Sequence, residues 1–208
     1  MVRTGRAYKE DSAMPRQKRQ SSPTGIYHWI NRGVNQKNLF HKKEDFEYFL
    51  KLAKIHAKEY DIKVRHYCLM TNHVHMLIHA DPIESLFQFS HYIQRRYAYY
   101  YCKTYKWKGQ VFQRMYRSIP IDKEAYLLEC GRYIERNPVR AKMVDKPEQY
   151  LHSSARFYTH SDKNELLDPS PAYQALADSP KEREEVYKEY VSENRPYEEL
   201  VERAMLGV

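Results

Sequence analysis

Two histidines separated by one residue are the first feature of the sequence that could carry chemistry. His73 and His75 belong to the run HVHMLIH, which predicts a β-strand. Side chains at positions i and i+2 of a strand project from the same face, with Cα atoms roughly 6.5–7 Å apart. Two imidazoles at that spacing can converge on one divalent cation, with metal–nitrogen bonds of about 2.0–2.2 Å. Histidine pairs also occur in strands as ordinary polar residues, so the motif alone leaves both interpretations open.

A tyrosine and an asparagine one helical turn apart form the second candidate set. Tyr133 and Asn137 lie near the end of a helix predicted from Lys123 to about Arg136, with Asp122 as its N-cap. Residues four apart share a helix face, so a tyrosine hydroxyl and an amide oxygen could both approach a cation held by the histidines. In the alternative interpretation Tyr133 packs in a helix interface and Asn137 caps the end of the helix. A helix end is expected there because the residue before a proline disfavours the helical backbone conformation.

The elements that must position these side chains follow the order β-α-β-β-α-β-α. Alternation, apolar spacing and turn residues predict strands at 25–30, 62–70, 73–79 and 111–121, and helices at 43–60, 84–103 and 123–136. Thr71-Asn72 is a two-residue turn, so the second and third strands should be antiparallel. This order predicts an α+β fold, a ferredoxin-like (split βαβ) antiparallel sheet with helices packed on it.

The charge distribution points to a polyanionic partner. The 208 residues include 35 Lys and Arg against 27 Asp and Glu, a net charge of +8. Residues 161–208 carry a net −6 and the rest of the chain a net +14. A basic body suits nucleic acid, although many basic domains bind none. The 20 tyrosines, combined with arginine, suit stacking on single-stranded bases, but most are expected to be packing residues.

Three segments are predicted along the chain. Residues 1–24 form a flexible basic arm with Met14–Arg19 as a phosphate contact, residues 25–151 the main domain, and residues 152–208 an acidic, partly helical extension. The extension has helical patterns at 181–193 and 197–205. We expect no membrane span and no secretory signal, since no long apolar run is present. Three cysteines at unrelated spacings predict a reducing, cytoplasmic compartment.

Four segments together resemble a known family. They are Gly25–His28 followed by Asn31–Gly33, Tyr67–Ile78 with its His-x-His core, Gly109–Arg114, and Arg132–Ala141 with its Tyr-Ile-x-x-Asn-Pro core. In this order they resemble the HUH single-tyrosine transposases of the insertion-sequence class, in particular the REP-associated tyrosine transposases. The resemblance extends from about Pro15 to Leu151, and residues 25–151 would then be the HUH catalytic domain. Relatives often have proline where Thr71 stands, which should affect only the turn.

The resemblance implies a concrete activity. Members cut single-stranded DNA, usually near an imperfect hairpin, with a divalent metal such as Mg²⁺ or Mn²⁺. By position, Tyr133 would be the nucleophile that forms a 5′-phosphotyrosine link, and His73 and His75 would be metal ligands. Asn137 stands where relatives place a third ligand, often glutamine. Members commonly form homodimers in which the two HUH strands can pair and the tyrosine helix can serve the partner's metal site.

Several alternatives stay open at this point. Tyr97, Tyr99, Tyr100 and Tyr101 are competing nucleophile candidates, although they lack the Asn-Pro context. A non-cleaving hairpin-binding protein and a metal-dependent hydrolase that acts through activated water are the competing functions. The candidate DNA contacts are basic residues close to the motifs, each of which could instead be a solvated charge: Arg32, Arg95, Arg96, Arg114, Arg117 and Arg140.

Overall fold

A computed structural model describes residues 20–113, 115–123 and 126–194. The strands are β1 (Ile26–Arg32), β2 (Lys63–Met70), β3 (His73–His79) and β4 (Arg117–Pro120). The helices are α1 (Lys43–Glu59), α2 (Ile83–Tyr105), α3 (Leu127–Arg140), α4 (Ala155–His160), α5 (Pro171–Gln174) and α6 (Pro180–Ser192). The predicted basic arm and the predicted helix at 197–205 lie outside the described residues, apart from residues 20–24.

The four strands form one antiparallel sheet in the order β2-β3-β1-β4. Together with the two crossover helices α1 and α2, this order confirms the predicted split βαβ fold. The strand that carries His73 and His75 is β3, which is hydrogen-bonded to β2 on one side and to β1 on the other. The expected pairing between the HUH strands of two chains is therefore wrong, because β3 has no open edge.

Alternation along the strands divides the sheet into two packed faces. One face buries Trp29, Val74 and Met76 against α1 and α2 in a large aromatic core that includes Phe49 and Phe89. The opposite face carries the odd-numbered residues of β3, among them His75 and Leu77. Helix α3 covers this second face with apolar side chains at helical spacing, namely Leu127, Cys130 and Ile134. The candidate tyrosine therefore lies on the same side of the sheet as the histidines.

Two elements differ from their predicted bounds by more than two residues. β4 is shorter than the predicted strand: Phe112 forms only an isolated bridge with Gly33, and regular pairing with β1 is limited to Arg117–Pro120. Helix α3 begins at Leu127 rather than Lys123, with Tyr126 and not Asp122 at its N-cap. It does not end before Pro138 but continues to Arg140. Proline lacks the N–H that would donate to the Ile134 carbonyl. The side-chain amide of Asn137 donates to that carbonyl instead, at 3.2 Å, and to the Tyr133 carbonyl at 2.9 Å.

The chain after α3 packs against the back of that helix and along β2. Arg132 and Arg136 of α3 donate to main-chain carbonyls at the end of α6, among them those of Tyr190 and Val191. The Glu135 carboxylate, fully buried beside them, accepts hydrogen bonds from Tyr187 of α6 and from Ser154. Helix α3 is thus held on one side by the sheet and on the other by α6.

Candidate active site

The two histidines of β3 lie side by side beneath α3. The ring centroids of His73 and His75 are 4.9 Å apart and their planes are nearly perpendicular. Each ring has its Nδ1 atom engaged. His73 Nδ1 lies 2.6 Å from Asn72 Oδ1, and His75 Nδ1 lies 2.9 Å from His28 Nε2. These contacts leave the Nε2 atoms of both rings as the nitrogens that could face a common cation.

His28 is a third histidine of the site, and the sequence reasoning missed it. It lies on β1 opposite Leu77, which makes it the diagonal cross-strand neighbour of His75. It is fully buried, and its ring stacks on that of His75 with centroids 5.1 Å apart. The signal available in the sequence was the strand alternation, which places His28 on one face with Ile26 and Ile30. The pairing register needed to join it to His75 cannot be obtained from that pattern.

Tyr133 projects from α3 onto the same group. Its ring meets His28 edge-to-face at a centroid distance of 5.8 Å and His75 at 6.0 Å. The side chain is only 5% exposed. The close approach of α3 to the sheet depends on Gly131, since a Cβ atom there would lie 2.6 Å from the His66 ring on β2. The structure therefore brings the predicted nucleophile and the predicted histidine pair together within one chain.

Asn137 lies one turn after Tyr133 and is half-buried. Its side-chain nitrogen is used within α3, in the two hydrogen bonds that carry the helix past Pro138. Because the nitrogen donates to the helix, the amide oxygen is the atom that could serve as a ligand. The structural interpretation of Asn137 and the ligand interpretation are thus compatible, since they use different atoms of one amide.

Three of the candidate arginines surround this group. The guanidinium of Arg140 lies over the Tyr133 ring, with its carbon 4.9 Å from the ring centroid. Arg32 is the cross-strand neighbour of His73, and Arg117 on β4 is the cross-strand neighbour of Ile30. Both are exposed, and strand alternation directs them to the face that α3 covers. This edge of the site is therefore cationic.

The remaining candidates lie elsewhere. Arg95 and Arg96 are exposed on α2, the helix that covers the opposite face of the sheet, and Arg114 lies outside the described residues.

Three of the four competing tyrosines belong to the core beneath α2. Tyr97 is fully buried and donates to the Leu39 carbonyl. Tyr100 donates to Asp45, and Tyr101 donates to the Asn38 carbonyl. Tyr99 alone among the four is largely exposed, at 69%. These hydroxyls lie on the face of the sheet away from His73 and His75.

Burial keeps both metal-ligand candidates neutral. Loss of solvent, with a smaller effect of the Arg32 charge, lowers the pKa of His73 to about 4. Burial also sets the pKa of His75 well below its usual value, and His28, His73, Arg32 and Arg140 add to this effect. Neutral imidazoles are the form that binds metal ions.

The residues of the site could hold a divalent cation. No group of three or more His, Cys, Asp and Glu side chains suited to a metal occurs in the described part of the chain. A cation here would be held by two imidazole nitrogens and by oxygens, such as that of Asn137 and those of a bound phosphate. Imidazole nitrogens favour transition metals, whereas amide and phosphate oxygens favour Mg²⁺ and Mn²⁺, so the donor set alone does not select one metal.

None of the described helices has the length and apolar character needed to cross a membrane. The three cysteines, Cys68, Cys102 and Cys130, are free thiols.

Comparisons with known proteins give the family. A structure of a REP-associated tyrosine transposase bound to a REP hairpin matches 76% of this chain and 93% of its own, with a TM-score of 0.56 and 14% identity. A crystal structure of a candidate transposase from Deinococcus radiodurans matches 65% of this chain and 97% of its own, with a TM-score of 0.40 and 18% identity. Among curated proteins none matches significantly. The family model of IS200-like transposases matches residues 21–137, more than half of the chain, and so the chain belongs to the IS200-like transposase family.

Proposed function

We propose that this protein nicks single-stranded DNA and transfers the cut strand, with Tyr133 as the nucleophile and a divalent metal at His73 and His75. The observation that supports this proposal most strongly is the meeting of Tyr133 with the histidine group, at 6.0 Å between the ring centroids of Tyr133 and His75. The proposal applies the family's activity to the residues of this chain.

The chemical step joins the tyrosine to the DNA. The phenolic oxygen of Tyr133 attacks the scissile phosphorus, an oxygen–phosphorus bond forms, and the bond from phosphorus to the 3′-oxygen breaks. The phenolic proton passes to solvent and the departing 3′-oxygen takes up a proton, so the products are a 5′-phosphotyrosine and a free 3′-hydroxyl. Attack by a 3′-hydroxyl on the phosphotyrosine reverses these bonds and completes strand transfer.

The surrounding residues hold the phosphate and balance its charge. A divalent cation bound by the histidines would supply Lewis-acid polarisation of the scissile phosphate. Arg140, stacked on the nucleophile, and the exposed Arg32 and Arg117 offer cationic contacts to the DNA backbone beside Tyr133. Arg140 would also stabilise the negative charge that develops on the phenolic oxygen of Tyr133 when a 3′-hydroxyl attacks the phosphotyrosine.

We propose hairpin DNA with a flanking single strand as the substrate class. The net charge of +14 over residues 1–160 supports a polyanionic partner, and the structural relative is bound to a REP hairpin. Arg95 and Arg96, on the other side of the sheet from the tyrosine, would then contact DNA away from the cut. A homodimer remains a prediction, but the contacts of Tyr133 with His28 and His75 are made within one chain. These contacts support catalysis in cis.

A denaturing gel of protein mixed with labelled hairpin DNA and Mn²⁺ tests the proposal. Wild type should yield a protein-linked DNA band that EDTA prevents. Tyr133→Phe and His73→Ala should yield none, while both still bind the DNA. A matched control is Tyr99→Phe, which removes an exposed hydroxyl on α2 and should cut normally.

The two competing functions give different patterns in the same assay. A hydrolase that uses activated water would cleave without an adduct and would keep its activity in Tyr133→Phe. A non-cleaving hairpin-binding protein would retard the DNA in a native gel and leave it intact with every metal tried.

A further inference from the structure

We propose that His28 and Asn72 are positioning residues that hold the two metal-binding imidazoles in the tautomer and orientation needed to bind a cation through Nε2. This inference deepens the proposed function and depends on the metal site that it contains. Neither residue belongs to the His-x-His pair, and neither would touch the metal.

The contact between Asn72 and His73 determines which nitrogen carries the proton. The Asn72 Oδ1 atom lies 2.6 Å from His73 Nδ1, and a carbonyl oxygen can only accept a hydrogen bond. The proton of the neutral His73 ring is therefore on Nδ1, and Nε2 keeps its lone pair. The Asn72 amide is itself oriented, because its nitrogen donates to the Gln36 carbonyl at 3.2 Å.

The contact between His28 and His75 acts in the same way from the neighbouring strand. His28 Nε2 lies 2.9 Å from His75 Nδ1, and both rings are buried. When Nε2 of His75 binds a cation, the proton of its ring must be on Nδ1, where it donates to His28 Nε2. His28 is then the acceptor, in the tautomer protonated at Nδ1. Stacking of the two rings, 5.1 Å between centroids, fixes their relative orientation.

The position of His28 also couples the metal site to the nucleophile. Its ring stacks on the His75 ring and also meets the Tyr133 ring edge-to-face, with 5.8 Å between the centroids of the His28 and Tyr133 rings. A substitution at His28 would therefore allow the His75 ring to change its orientation and would remove packing contacts of the Tyr133 ring. Outer-shell partners of metal-binding histidines typically contribute 10–100-fold to metal affinity.

Mn²⁺ titration of the full-length protein without DNA, followed by electron paramagnetic resonance of free Mn²⁺, tests this directly. We expect His28→Ala and Asn72→Ala each to weaken Mn²⁺ binding by about 10–100-fold. His28→Gln and Asn72→Asp should recover most of the affinity, because the Gln side chain supplies an oxygen acceptor in place of His28 Nε2 and the Asp side chain keeps the oxygen acceptor of Asn72 for the Nδ1 proton. Asn72 lies in a half-exposed turn, so its variants test the inference even if His28→Ala fails to fold.

Controls separate positioning from general damage to the fold. Ile30→Val trims a buried neighbour of His75 that makes no polar contact with its ring, and should leave Mn²⁺ affinity within about twofold of wild type. The melting temperature of the metal-free variants should not follow their Mn²⁺ affinities.

The possible outcomes distinguish this inference from the proposed function. If wild type binds Mn²⁺, His73→Ala abolishes binding, and the His28 and Asn72 variants bind as wild type does, the inference is wrong and the metal site stands. If wild type binds no Mn²⁺, both fail. If the alanine variants lose affinity and the oxygen-bearing variants recover it, the inference is supported.

Discussion

Helix α3 can place Tyr133 over the histidines because Gly131 has no side chain, and Gly131→Ala tests this dependence. The added Cβ atom would lie 2.6 Å from Cε1 and Nε2 of the His66 ring. That ring cannot easily move, since it stacks on Tyr158 at 4.4 Å and its Nδ1 atom is hydrogen-bonded to Glu135 at 2.9 Å. Ordinary carbon contacts are about 3.5–4.0 Å, so α3 must move away from β2 by about 1 Å.

The effects on stability and activity differ in size. Overpacking of this kind costs about 1–3 kcal/mol, while alanine gains about 1 kcal/mol over glycine in helix propensity. We therefore expect a net loss of at most about 2 kcal/mol in the free energy of unfolding. Activity should suffer more, because a displacement of about 1 Å at a reacting group can cost about 100-fold in rate. Tyr133 follows Gly131 by two residues and should move with the helix.

The assay combines urea unfolding with single-turnover nicking of a labelled hairpin. Gly131→Ala should bind the hairpin within a few-fold of wild type and nick it about 100-fold more slowly. Glu129→Ala, in the same helix, adds no atom toward the sheet and serves as the control. A Gly131→Ala protein that is as stable as wild type and nicks at the same rate would refute the argument that this contact sets the position of Tyr133.

Three further predictions concern neighbouring parts of the molecule. Arg140→Gln should slow nicking by about 10-fold or more with little loss of hairpin binding, because it removes one group that stabilises charge beside Tyr133. Arg95→Gln should weaken binding and leave the nicking rate of bound DNA unchanged. Single-turnover rates measure the nicking, and filter binding measures the affinity for the hairpin. Tyr187→Phe leaves a buried carboxylate oxygen without its hydroxyl donor at 2.9 Å and should lower the free energy of unfolding by about 1–3 kcal/mol in urea titrations. Mixing His73→Ala with Tyr133→Phe should restore no adduct if the contact of Tyr133 with His75 of the same chain is the one used in catalysis; recovery of nicking in the mixture would show catalysis in trans.

Much of the site could be predicted from local patterns. The alternation around His73 and His75 and the four-residue spacing of Tyr133 and Asn137 are properties of single elements. The strand has the predicted bounds, and the helix is present but begins and ends four residues later than predicted. The order of strands and helices was sufficient to predict the sheet and the helices on it, because short connections restrict how such elements pair.

The residues that were missed depend on contacts between distant elements. His28 joins the site through the register of β1 against β3, which no local pattern specifies. The continuation of α3 past Pro138 depends on the side chain of Asn137, which offsets the missing backbone donor. In the sequence Gly131 is a residue that weakens a helix. The structure explains it, because a side chain at this position would collide with the His66 ring. The packing of α6 on α3 likewise depends on carbonyls that Arg132 and Arg136 reach across the fold.

The most direct test of the account identifies the tyrosine that becomes linked to DNA. The chain has 20 tyrosines, but trypsin cleavage after Arg132 and Arg136 releases residues 133–136, which contain only Tyr133. After reaction with hairpin DNA and Mn²⁺ and digestion with nuclease and trypsin, mass spectrometry should find the nucleotide on this peptide. A nucleotide on the peptide at residues 97–103, or none on any tyrosine despite complete cleavage, would contradict the assignment of Tyr133 as the nucleophile.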